Sequence, residues 1–138
     1  MPDKRLRTRT IRQRVIIPAP PARVYATLTN ARLHAAFTAA DATGIARVGC
    51  RFTAWDEYIC GKHLVLEKNK RIVQAWETSE WPKGYPPSKL EIRLRAIPKG
   101  TELTMVHSDV PASQVAGYRS GWVEYYWKPL KAYFSAQP

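Results

Sequence analysis

The chain has 138 residues, a length for one domain with one core, and 22 Lys and Arg against 11 Asp and Glu give it a formal charge of +11. A chain of this size buries roughly two-thirds of its unfolded surface, so it needs no disulfide or metal staple. No apolar run reaches the length of a transmembrane helix, so the cytoplasm is the default expectation, and the charge excess implies good solubility with some non-specific affinity for polyanions.

Residues 1–10 form a basic N-terminal arm, and residues 11–138 a single domain. Lys4, Arg5, Arg7, Arg9, Arg12 and Arg14 face only Asp3 in this region. No apolar h-region follows the basic start, because prolines interrupt IIPAPPARVYATL, so a secretory signal is not expected. No nucleic-acid-binding motif accompanies the charge, so specific nucleic-acid recognition is not expected.

Residues 9–17 read as a strand, with Ile11, Val15 and Ile17 on one face and Arg12 and Arg14 on the other. Pro18-Ala19-Pro20-Pro21 ends it, and Pro21 suits the first position of a helix carrying Val24, Tyr25 and Leu28. Asn30 can cap a second short helix bearing Leu33, His34 and Phe37. Residues 41–49 read as loop. Residues 51–55 and 58–67 then form a hairpin around Asp56-Glu57. Pairing outward from that turn sets Cys50 opposite His63 and Cys60 opposite Thr53. The two thiols then point to opposite faces, and no disulfide is expected.

Asn69-Lys70 turns the chain into a strand with Ile72, Val73 and Trp76. SEWPKGYPPS is a loop. Leu90, Ile92, Leu94 and Ala96 alternate with charged residues, as in a half-buried antiparallel strand. Pro98-Lys99-Gly100 turns into a last strand with Leu103, Met105 and His107 on one face. Ser113 is a candidate cap for the C-terminal helix.

That helix, GYRSGWVEYYWKPLKAYF, is the most distinctive segment. At regular helical spacing Tyr118, Trp122, Tyr125 and Pro129 share one face, and Tyr126, Leu130 and Phe134 form an adjoining row. So wide an aromatic stripe requires a large apolar surface to lie on. Pro129 removes a backbone donor and should kink or segment the helix. The expected fold class is α+β, a curved antiparallel sheet wrapped around a long C-terminal helix, with two short helices after the first strand.

IRQRVIIPAPPARVYATLTN, LHAAFT, GCRFTAWDEYICG, KRIVQAWETSEWP, GTELTMVHSDVP and GWVEYYWKPLKAYF, in that order and spacing, resemble proteins related to the activator of heat-shock protein 90 ATPase. This AHSA-type family lies in the START-like, SRPBCC superfamily with the helix-grip fold. The resemblance implies a cavity between sheet and C-terminal helix. It also implies two kinds of function, co-chaperone action and the binding of hydrophobic molecules. In the hairpin turn Asp56-Glu57 departs from the family's usual Asp-Gly, which suggests another turn type or strain.

If a cavity exists, its expected lining is Trp55, Trp76, Met105, His107, Tyr118, Trp122 and Tyr125, with Met105 as adaptable filler. His107 points inward. It is either a core histidine with both nitrogens paired or a polar anchor for a ligand, with Tyr118, Tyr125 or Tyr126 as hydroxyl partners. His34 is expected to pack beside Phe37 with a ring nitrogen bonded, and His63 to lie on the outer sheet surface. The three histidines and Cys60 lack ligand spacing, so no metal and no cofactor is expected. Glu124 is out of phase with the aromatic row and is expected to be solvated or paired with Lys128 at i+4. No catalytic triad, phosphate loop or convergent pair of titratable groups is present, and the chain reads as non-enzymatic.

The leading expectation is therefore binding of a small hydrophobic or aromatic ligand in the cavity. The alternative is a co-chaperone-like module that docks on an acidic protein partner through its basic surface. Oligomeric state has no signal in the sequence.

Overall fold

The computed structural model describes residues 6–136. Lys4 and Arg5 of the basic arm lie outside the described residues. Strand β1 (Thr8–Ile17) starts the sheet and takes in the last three residues assigned to the arm, of which Thr8 and Arg9 pair with Pro111 and Val110. Helices α1 (Pro21–Thr29) and α2 (Ala31–Thr38) follow. Pro21 occupies the first turn of α1, where its missing N–H leaves no bond unmade. The Asn30 side chain accepts from the Leu33 amide at 3.1 Å and caps α2.

Six strands then complete the sheet: β2 (Thr43–Gly44), β3 (Arg51–Ala54), β4 (Ile59–Glu67), β5 (Arg71–Thr78), β6 (Ser88–Ile97) and β7 (Gly100–Pro111). The order is β1-β7-β6-β5-β4-β3-β2, antiparallel throughout. β2 is a two-residue edge inside the segment expected to be loop.

Alternation sorts the strands into an inner and an outer face. Ile11, Ile17, Ile72, Leu90, Ile92, Leu103 and Met105 are buried on the inner face. Arg12, Arg14, Lys62, Lys89, Arg93 and Arg95 stand on the outer face. Ala96, expected on the inner face, is exposed. Bulges between Arg9 and Ile11 and between His63 and Val65 bend the sheet.

The second bulge also overturns the expected place of His63. Ile59, Gly61 and His63 point inward, and the parity shifts only after His63, leaving Leu64 exposed. His63 is buried against Phe52, with ring centroids 5.0 Å apart. Gly61 is required here, since a side chain would run into the Ala75 carbonyl and the Phe52 ring. Thr53 pairs with Cys60, and both cysteines are free.

The C-terminal helix closes the inner face in segments. A 3-10 turn (Ala112–Gln114) leads into α3 (Val115–Trp122), a π-helical turn (Val123–Trp127) and α4 (Lys128–Ser135). Ser113 sits inside the 3-10 turn and makes no capping bond to α3.

The π-turn corrects the expected helix face. Pro129 cannot donate to the carbonyl four residues back, and the Lys128 amide reaches Val123 O instead. The wide turn changes the phase of the residues beyond it. Trp122, Tyr126, Trp127, Leu130 and Phe134 become the buried row, and Tyr125 turns outward to 60% exposure. Burying a side chain of this size contributes about 1.5–3 kcal/mol, so the row that wins is the one that covers the sheet. Glu124 pairs with Lys128 at 2.8 Å on the outside.

Candidate functional site

An open cleft of about 550 Å³ lies between α3, the β3–β4 turn and the loop after β5. That size suits a small organic molecule. Of the seven residues expected to line a cavity, Trp55, Trp76, Tyr118, Trp122 and Tyr125 meet here. Met105 and His107 do not line it. Met105 is buried in the core between β1 and β6, and His107 lies behind Trp76 and Trp122.

Trp76, near the end of β5, is the hub of the aromatic cluster. Its ring meets Tyr118 at 5.3 Å and His107 at 4.6 Å, both nearly perpendicular, and tilts against Trp122 at 5.7 Å. Trp81 stacks on Tyr118 at 6.0 Å. Edge-to-face contacts of this kind place ring edges on ring faces and fix the rotamers. Across the cleft, Trp55 meets Tyr125 at 5.7 Å. Trp55, Asp56 and Glu57 all have positive φ, at 54°, 57° and 75°. That left-handed run answers the missing glycine of the turn and holds the Trp55 indole over the cleft.

Both nitrogens of His107 are committed. Trp122 Nε1 donates to His107 Nδ1 at 3.1 Å, which requires the neutral ring to carry its proton on Nε2. Nε2 then donates to Ser88 Oγ at 2.8 Å, and Ser88 Oγ donates to the Trp76 carbonyl at 2.7 Å. Burial pushes the His107 pKa down to about 3, so the ring is neutral at pH 7. Its partners are an indole and a serine, not the tyrosine hydroxyls expected from the sequence.

The polar rim of the cleft is a second chain of bonds. Tyr118 donates its hydroxyl to Gln114 Oε1 at 2.7 Å and lies 2.6 Å from the Thr78 hydroxyl. Gln114 Nε2 donates to the Glu80 carbonyl at 2.6 Å, and Tyr58 donates to Glu80 Oε2 at 3.1 Å. Burial raises the Tyr118 phenol to about 12, so it stays protonated and acts as a donor. The rim thus sets a row of polar groups along one edge of the aromatic cleft.

A smaller space of about 40 Å³ lies on the far side of Trp76, Trp122 and Tyr126, which border both spaces. His34 and His63 line it. His34 Nε2 is 3.1 Å from the Tyr126 hydroxyl, as expected for a packed histidine with one nitrogen bonded. Nδ1 of His34 and Nδ1 of His63 are buried without a partner among the described residues. Burial lowers the His34 pKa to about 4 and lowers that of His63 as well.

Sequence reasoning missed Ser88, Gln114, Gly117 and Gly121. The signal for the glycines is present. Gly117 and Gly121 are four residues apart on α3 and both line the cleft, and a Cβ at Gly117 would meet nothing within 4 Å. The helix leaves out side chains where the cleft is open. No comparable pattern marks Ser88 or Gln114.

Residues 18–135 match the family model described as Activator of Hsp90 ATPase homolog 1-like protein. The chain is 34% identical over 116 residues to the human activator of 90 kDa heat shock protein ATPase homolog 1, a match covering 83% of this chain and 33% of that one. It is 30% identical over 127 residues to an uncharacterised protein of Schizosaccharomyces pombe, covering 92% and 38%. The chain thus spans about a third of the length of the curated relatives it matches. The fold resembles the crystal structure of an Hsp90 activator from Plasmodium falciparum, with a TM-score of 0.81, 18% identity and coverage of 93% and 96%.

Proposed function

The chain belongs to the family of activator of Hsp90 ATPase homolog 1-like proteins, and from that membership we propose that it is a co-chaperone-type interaction module for a chaperone of the Hsp90 class. The observation that carries this reading is the family match across residues 18–135, with relatives named for activating that ATPase. The formal charge of +11 supports an acidic docking surface on the partner. The test is co-elution with a purified Hsp90-class chaperone, together with the chaperone's ATPase rate. Binding at low salt that fades as ionic strength rises, with a raised ATPase rate, supports the reading. Absence of any complex at low salt overturns it.

A second reading is favoured by the cleft itself. A space of about 550 Å³ walled by Trp55, Trp76, Tyr118 and Trp122 suits a small hydrophobic or aromatic molecule held by ring stacking. Native mass spectrometry of freshly purified protein tests it. An extra mass lost on denaturation supports a carried ligand. Bare protein that takes up neither fatty acids nor flavonoids counts against one.

A further inference from the structure

The outer sheet face carries a charge arrangement that neither reading uses. Arg71 and Arg93 stand directly opposite each other across β5 and β6. Like charges so placed repel, with Cβ atoms about 5 Å apart. Glu91 Oε2 lies between them and accepts from Arg71 Nε at 2.7 Å and Arg93 Nε at 3.1 Å. Glu102 does the same for Arg14 and Arg95, accepting from Arg14 Nε at 2.7 Å and Arg95 Nε at 3.0 Å. Two carboxylates thus hold four guanidinium groups in fixed orientations. Each guanidinium has five N–H donors, and those bonds use only some of them.

Beside this cluster the β4–β5 turn adds Lys68 and Lys70. Both are exposed, and neither has a carboxylate partner among the described residues. The turn is tied down by the Leu94 amide, which donates to the Lys70 carbonyl at 2.8 Å. Together these groups border an open basin of about 770 Å³. Lys68, Lys70, Arg71, Arg93 and Arg95 line it against Glu67 and Glu102, a formal excess of three positive charges.

We propose that this basin is a binding site for a small polyphosphate. The oriented arginines supply forked donors for phosphate oxygens, and the two lysines supply mobile point charges that close over the anion. A compact anion with three or more charges matches the excess. A single peptide carboxylate brings one charge into a basin where Glu67 and Glu102 already repel it. The site lies on the outer face of the sheet, whereas the aromatic cleft opens on the inner face. Occupation of one therefore does not require the other.

The test is calorimetric titration of the whole chain with inorganic tripolyphosphate at about 0.15 M salt, where loose surface attraction is screened. One tripolyphosphate per chain is expected. The Lys68→Ala/Lys70→Ala variant removes no ion pair of the fold and should weaken binding at least about tenfold, the loss expected for one or two charge-assisted contacts. Arg93→Lys keeps the charge but loses the fork, and should also weaken it. Lys62→Ala/Lys89→Ala removes two cations that do not line the basin and should bind as the parent does. Several weak sites per chain, equal weakening by both lysine pairs, or binding of poly-glutamate without tripolyphosphate would each overturn the proposal.

Discussion

Trp122 donates its indole N–H to Nδ1 of His107, and this 3.1 Å bond ties the C-terminal helix to the last strand through a ring whose tautomer it fixes. The chain continues through Ser88 to the Trp76 carbonyl, so three strands and the helix share one buried polar path. Ser88→Ala should break it in the middle, leaving His107 Nε2–H and one carbonyl bond unsatisfied. An unsatisfied buried group costs about 1–3 kcal/mol, so the urea midpoint should fall by that equivalent. Ser88→Thr keeps the hydroxyl and should recover part of the loss. Equal midpoints for Ser88→Ala and the parent would show that the path contributes nothing to stability.

Acid should destabilise the fold before its carboxylates titrate. An unfolded imidazole takes up a proton near pH 6.5, whereas folded His34 holds off until about pH 4 and His107 until about pH 3. Between those limits the unfolded state binds more protons, so stability is complete above about pH 6.5 and falls as pH is lowered. At about 1.4 kcal/mol per pKa unit, each histidine contributes a few kcal/mol to the loss. Glu91 and Glu102 have pKa values held below the usual carboxylate range by their arginines, and lose their pairs only in stronger acid. Urea melts at pH 7, 6 and 5 should therefore show a falling midpoint, and a flat profile would contradict the neutral buried rings.

Much of this architecture was legible in the sequence. Alternation along β6 and β7 placed Leu90, Ile92, Leu103, Met105 and His107 inside, and Asn30 announced its own cap. What failed did so where regular periodicity breaks. His63, expected on the outer face, lies inside because a bulge after it resets the parity and leaves Leu64 exposed instead. Regular helical spacing puts Tyr125 on one face with Tyr118 and Trp122, and the π-turn that moves it outward leaves no hydrophobic signature, although Pro129 points to irregular bonding. Ser88 and Gln114 act through single hydrogen bonds, which composition does not encode.

The cleft should respond oppositely to small and large substitutions at one position. Gly117 is helical with open space where its Cβ would be. Gly117→Ala should therefore stabilise the protein by about 0.5–1 kcal/mol, the helix-propensity difference, and leave the cleft open. Gly117→Phe should place a ring in the cleft and abolish uptake of an apolar fluorescent probe while the fold survives. Probe uptake unchanged by Gly117→Phe would show that the probe binds elsewhere.

The β3–β4 turn stores strain that a single substitution should release. Trp55, Asp56 and Glu57 all occupy the left-handed region, where a residue other than glycine is disfavoured by about 1–2 kcal/mol and aspartate by less. Glu57 is exposed, makes no side-chain hydrogen bond or ion pair among the described residues, and has a φ of 75°, so Glu57→Gly removes the penalty without removing a contact. The unfolded chain gains freedom from the glycine, which offsets part of the benefit, and a net gain of about 0.5–1 kcal/mol is expected. Trp55 faces the opposite constraint. Its ring packs against Tyr125 and Tyr126, so Trp55→Gly would relieve backbone strain but lose the wall of the cleft. If the turn's conformation serves to hold that ring, Glu57→Gly should raise the thermal midpoint and leave probe uptake intact, while Trp55→Gly should reduce uptake whatever it does to stability. A destabilised Glu57→Gly would mean that the Glu57 side chain contributes more than its backbone costs, and the strain argument would fail.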